Sequence, residues 1–160
     1  MYAREDFDPS TIGRSIFLAG PTPRSKRVPS WRKKALNFLS QMVATPLTVF
    51  VPEDHDGTFH KAFFDDQVEW EEKALTAATV IAFWIPRDLR TLPGFTTNDE
   101  FGAWKRSGKV VLGVPPETPK TRYQLYYARK LGIPTAKSLE KTLALACIKV
   151  KEINCDTPAS

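Results

Sequence analysis

The sequence predicts an α/β domain, a parallel sheet of about five strands flanked by helices. Three observations predict it. Short β-rich apolar runs alternate with longer amphipathic stretches along the chain, the pattern of βαβ units joined by right-handed crossovers. The clearest of these runs is apolar on both faces, as a strand covered by helices on either side must be. The chain has 160 residues, 42% apolar and 26% charged, which suits one globular unit able to build a core without staples.

The elements follow in order. Ser15-Ile16-Phe17-Leu18-Ala19 is a buried strand, ended by Gly20-Pro21. Ser30-Trp31 opens a helix over 30–43, with Trp31, Ala35, Phe38 and Met42 on one face. Leu47-Thr48-Val49-Phe50-Val51 is the second strand, followed by a polar loop over 52–58. Residues 60–78 form a helix whose apolar stripe is Phe64, Val68, Leu75 and Ala78. Val80-Ile81-Ala82-Phe83-Trp84-Ile85 is the third, central strand. After a loop over 86–94 a helix resumes at Asn98 and stops at Gly108, before the fourth strand, Lys109-Val110-Val111-Leu112-Gly113-Val114. Residues 121–131 form a helix, 133–135 a short strand and 138–152 the last helix, with a frayed end over 154–160. This suits a flavodoxin-like or Rossmann-like sheet, one domain over 1–160 with its core over 14–152.

Composition excludes several classes. No apolar run approaches the roughly 20 residues that span a bilayer, and Arg4, Glu5, Asp6 and Asp8 deny the first ten residues a secretory character. The net charge of +5 is scattered, without the clustered basic stripe and interleaved aromatics of a nucleic-acid surface. Cys147 reads as a small buried hydrophobe and Cys155 as part of a polar tail. Two cysteines without a signal point to a reducing compartment, with the cytoplasm expected.

In such sheets ligands sit beyond the carboxyl ends of the strands, after Ala19, Val51, Ile85 and Val114 here. There is no G-x-G-x-x-G, no Walker A lysine motif and no nucleophile elbow. Glu53-Asp54-His55-Asp56 with His60 contains metal-ligating residue types, but a solvated loop explains it better and no metal is expected. Two acids are more informative. Glu71 falls between Val68 and Leu75 on the stripe of its helix, so it either aims at the sheet or sits at the stripe's edge and reaches solvent. Glu100 lies in Thr96-Thr97-Asn98-Asp99-Glu100-Phe101-Gly102, where Thr97 with Glu100 three residues on also reads as a capping box. Two acids at the ligand edge suit chemistry at a sugar carbon, one as nucleophile and the other aiding proton transfer or holding the sugar. Gly20-Pro21-Thr22-Pro23-Arg24-Ser25-Lys26-Arg27 enters the same crevice and is either a phosphate-holding loop or a basic surface loop.

Five pieces of the chain resemble the nucleoside 2-deoxyribosyltransferase superfamily, in its branch of short deoxyribosyltransferase-like proteins. They are Ile16-Phe17-Leu18-Ala19-Gly20-Pro21 with Ser30-Trp31-Arg32; Gln67-Val68-Glu69-Trp70-Glu71; Phe83-Trp84-Ile85-Pro86; Thr96 to Gly102; and Ser107-Gly108-Lys109. They fall in order and span about residues 14–140. The resemblance implies a flavodoxin-like sheet, no metal or organic cofactor, and cleavage of an N-glycosidic bond with transfer of 2-deoxyribose between bases. It implies Glu100 as the nucleophile and Glu71 as the second acid. Phe17, Ala19, Gly20, Pro21, Arg24, Thr96, Thr97 and Asn98 would then surround the substrate. The partners implied are a nucleoside or nucleotide, a free base and further copies of the chain in a homo-oligomer, with neither membrane nor nucleic acid. Relatives often carry tyrosine where this chain has Phe17, and aspartate where it has Glu71. Hydrolysis by the same residues and a non-catalytic nucleotide-binding module stay open as alternatives.

Overall fold

The computed structural model describes the chain except for Arg24, Lys26, residues 56–63 and residues 156–160, and leaves out the side chains of Asn154 and Cys155. Strands β1 (Ser15–Ala19), β2 (Thr48–Phe50), β3 (Val80–Trp84), β4 (Val110–Gly113) and β5 (Thr135–Ala136) alternate with helices α1 (Trp31–Met42), α2 (Phe64–Ala77), α3 (Phe95–Trp104), α4 (Arg122–Leu131) and α5 (Leu139–Cys155). All strand pairs are parallel, in the order β2-β1-β3-β4-β5. That is the flavodoxin-like order, with its topological switch point between β1 and β3.

The sheet sorts its side chains by strict alternation. Ile16, Leu18, Val80, Ala82 and Trp84 face Ala35 and Leu39 of α1 and Leu139, Leu143, Ala146 and Val150 of α5. Phe17, Ala19, Ile81 and Phe83 face Trp70, Ala74 and Leu75 of α2, Phe101 of α3 and Ala128 of α4. The second layer carries both acids singled out above. Its anchor for α3 is Phe101, which meets Phe83 edge to face with ring centroids 5.4 Å apart.

Several boundaries and faces differ from expectation. On α1 the buried residues are Arg32, Ala35 and Leu39, while Met42 is exposed, because an ion pair carries Arg32 inward. On α2, Phe64 and Val68 are exposed, and Gln67, Trp70, Ala74 and Leu75 are buried. Trp70 is admitted because its indole N–H donates to the Glu5 carbonyl at 2.8 Å. The expected start of that helix, 60–63, lies outside the described residues. Helix α3 begins at Phe95, capped by Gly94 at φ +61, so Thr97 is already inside the helix. That removes the capping box proposed for Glu100. β5 is displaced to Thr135–Ala136, and α5 runs on to Cys155. The loop after β2 is not uniformly solvated, since Glu53 is 2% exposed. No described helix is long and apolar enough to cross a membrane.

Candidate active site

The chain leaving β1 must pass the end of β3 at very close range. Gly20 sits at φ +146, and a Cβ there would lie 2.1 Å from the Trp84 carbonyl oxygen, so only glycine fits. Arg32 then holds this corner from below. Its guanidinium donates to the Leu18 carbonyl at 3.0 Å, the Gly20 carbonyl at 2.7 Å, Thr22 Oγ1 at 3.1 Å and the carboxylate of Glu53. Glu53 also accepts from Ser30 Oγ at 2.6 Å, and Ser30 in turn caps α1. Trp31 Nε1 donates to the Pro21 carbonyl at 3.0 Å. The loop after β1 is thus fixed by Arg32, Glu53, Ser30 and Trp31, none of which was expected to face a ligand.

The first turn of α3 meets that loop. A Cβ on Gly94 would lie 3.1 Å from Pro21 Cβ and 3.3 Å from Thr97 Oγ1, so Pro21 and Thr97 both flank Gly94 closely. Thr97 is buried, Thr96 is exposed, and Glu100 is partly buried one turn further along α3. Phe17 and Ala19 are wholly buried and form the floor of the crevice rather than its surface; Phe17 packs beside Trp70 with ring centroids 6.4 Å apart. Asn98 Oδ1 accepts from Arg87 and from Gln124 Nε2, so its carbonyl is committed to protein. Arg24 lies outside the described residues.

Arg87 was not legible as a site residue, being one basic residue in a proline-flanked loop. Its guanidinium also donates to the carbonyls of Lys120 and Gly94, tying the start of α3 to the approach to α4. Its Nε and the Oε1 of Gln124 are buried without a partner among the described residues.

The two acids share one environment. Glu71 accepts from Gln67 Nε2 at 2.7 Å and is partly buried; burial raises its pKa, against that hydrogen bond and the charge of Arg32. Glu100 accepts no hydrogen bond among the described residues, and its pKa is pushed up to about 8, first by burial and then by the charge of Glu71. Arg32 opposes both shifts. An acid raised so far by desolvation and a like neighbour keeps its proton near neutral pH.

Other features are ordinary. His55 is exposed, pairs with Glu5 at 2.8 Å and stacks on Tyr2. No group of three His, Cys, Asp or Glu among the described residues is arranged to hold a metal, and Asp56 and His60 lie outside them. An open depression of about 580 Å³ on the solvent side of α2, lined by Glu69, Glu72 and Lys73 among others, brings together none of the convergent groups at the sheet edge.

A family model described as nucleoside 2-deoxyribosyltransferase like matches residues 13–118, which run from before β1 to beyond β4 and include both acids. Comparison with curated proteins found no match. The match covers well over half of the chain, which therefore belongs to the nucleoside 2-deoxyribosyltransferase-like family.

Proposed function

We propose that this member of the nucleoside 2-deoxyribosyltransferase-like family cleaves the N-glycosidic bond of a 2-deoxynucleoside and passes the sugar to a second base, with Glu100 as nucleophile and Glu71 as its proton partner. The observation that supports this reading is the pair of acids on α2 and α3, both raised by burial, with the charge of Glu71 raising Glu100 further. A retaining transfer at a sugar carbon needs one ionised and one protonated carboxyl on the reacting bond.

In the free protein the shared proton rests on Glu100, since its pKa is about 8. Glu71, ionised and hydrogen-bonded by Gln67, is the base that takes it when substrate displaces water from the crevice. The Glu100 carboxylate then attacks the anomeric carbon. The bond to the base breaks, its electron pair leaves with the base nitrogen, and Glu71 supplies that nitrogen with the proton. A glycosyl ester on Glu100 remains. A second base attacks the same carbon through its ring nitrogen, gives its proton to Glu71, and frees the Glu100 carboxylate. Gly20, Pro21 and Thr97 line the approach, while Phe17 and Ala19 support it from the core. In this reading Thr96 and Arg24 also contact substrate, and Asn98 acts through Arg87 and Gln124.

The test is chromatography of the purified protein with a panel of deoxynucleosides and their monophosphates, each with and without a second free base. A new nucleoside formed only with the second base establishes transfer, and Glu100→Gln lowers its rate at least ~1,000-fold. Free base without exchange makes water the acceptor and the protein a hydrolase. Exchange undiminished in Glu100→Gln would remove Glu100 from the reaction, and no turnover across the panel would favour a binding module.

A further inference from the structure

Glu71 is one end of a chain of polar contacts that starts far away in sequence. Gln67, one turn earlier on α2 and 2% exposed, donates from Nε2 to Glu71 Oε1 at 2.7 Å. Its other end, Oε1, accepts from Arg4 NH1 at 3.3 Å. A guanidinium has donors and no acceptor, so it faces only the oxygen of an amide. With that oxygen turned to Arg4, the Gln67 amide must turn its N–H to Glu71. The opposite orientation would set oxygen against the carboxyl, which only a protonated acid satisfies.

Arg4 is itself held firmly. Another of its nitrogens donates to Asp54 Oδ1 at 2.6 Å. Its φ of +64 lies in the left-handed region, a strained conformation for a residue with a side chain. On either side, Ala3 N donates to the Glu53 carbonyl and the Glu5 carbonyl accepts from Trp70, which pins the segment between the loop after β2 and α2. Arg4 lies outside the residues that the family model matches.

We propose that Arg4 is a positioning residue: it fixes the orientation of the Gln67 amide, and the amide holds Glu71 ionised beside Glu100. The catalytic consequence rests on the function proposed above; the orientation of the amide does not. Among the described residues the charge that acts on Glu71 is that of Arg32 from α1, and Glu71 acts in turn on Glu100 of α3, with the Arg4–Asp54 pair behind Gln67.

The test is a carbon-13 NMR titration of carboxyl-labelled glutamates in the full chain, with the Glu71 signal assigned through Glu71→Gln. Arg4→Met raises the midpoint of Glu71 by about half a pH unit or more, the worth of one modest hydrogen bond. Gln67→Leu raises it at least as far, and the double variant goes no further than Gln67→Leu alone. Arg4→Lys, which keeps a donor, restores most of the difference, and Arg4→Gln replaces Arg4→Met if the latter fails to fold. A Glu71 midpoint that moves in Gln67→Leu but not in Arg4→Met, or shifts that add in the double variant, overturns the proposal. None of these readouts needs turnover, so they stand whether or not sugar transfer is found. Where turnover is found, Arg4→Met moves the acid limb of the kcat/KM profile upward and leaves the alkaline limb in place.

Discussion

Two partly or fully enclosed glutamates at the same edge of the sheet have opposite surroundings. Glu53, after β2, gives one carboxylate oxygen to Arg32 and the other to Ser30 Oγ, and is 2% exposed. Glu100, on α3, accepts no hydrogen bond among the described residues and faces the charge of a second acid. The first is a fastening: it offsets the charge of Arg32, whose guanidinium fixes the carbonyls of Leu18 and Gly20. The second is held in an environment that disfavours its ionised form, and what it lacks in partners a substrate can supply. Burial by itself therefore does not mark a candidate functional acid; burial without partners, beside a like charge, makes one.

The contrast is broken most severely at Glu53. Glu53→Gln leaves the Arg32 guanidinium buried without its counter-charge, and is expected to destabilise the protein by about 3–5 kcal/mol. Chemical denaturation at neutral pH measures it. A loss below 1 kcal/mol would mean that this corner is not held by the pair.

The opposite sign is expected at Glu100. Its folded-state pKa lies above the unfolded value of 4.5, so the stability associated with its proton is complete below that value and is lost as pH rises through about 8. Glu100→Gln, which cannot ionise, is then more stable than wild type at pH 9, by on the order of 3 kcal/mol. The difference shrinks on acidification and is small near pH 4.5. Thermal unfolding at the two pH values compares them, and a variant equally stable at both would show that Glu100 is not desolvated. A stabilising substitution that removes activity is the expected signature of a site that trades stability for function.

A smaller effect sharpens the partnership between Glu71 and Glu100. If the singly protonated pair is the working form, kcat/KM follows a bell, rising as Glu71 ionises above the ordinary carboxylate range and falling near pH 8 as Glu100 loses the shared proton. Glu71→Gln removes the neighbouring charge that helps to raise Glu100. The midpoint of Glu100, followed by carbon-13 NMR, then falls by about one pH unit. An unmoved midpoint would mean that burial alone sets it.

How much of this could be read from the chain depends on where each residue finds its partner. β1, β3 and β4 are continuous apolar runs, legible because a strand covered on both faces needs no partner to explain it. Glu100 was singled out because the alternating elements place the residues after β3 at a ligand edge, and Glu71 from a helical stripe of which Phe64 and Val68 are in fact exposed. The faces of α1 and α2 were not. Arg32 and Gln67 are polar residues in buried positions, admitted by Glu53 and Arg4, which lie 21 and 63 residues away. A hydrophobic periodicity has no way to register such pairings. The start of α3 was misplaced for a local reason: Thr97 and Glu100 match a capping signal, but Gly94 in the left-handed conformation begins the helix earlier. Arg87 was missed because its role comes from carbonyls of Gly94 and Lys120 and from Asn98, none of which its own surroundings in sequence announce.

Under the proposed function Glu100 forms a bond to the sugar. Its most direct test is mass spectrometry of the protein quenched in acid during turnover of a deoxynucleoside, with the adduct mapped by peptide sequencing. A gain of one deoxyribosyl group is expected on the peptide containing Glu100, absent in Glu100→Gln and discharged by adding a free base. An adduct on another residue, or turnover that persists in Glu100→Gln, would contradict it.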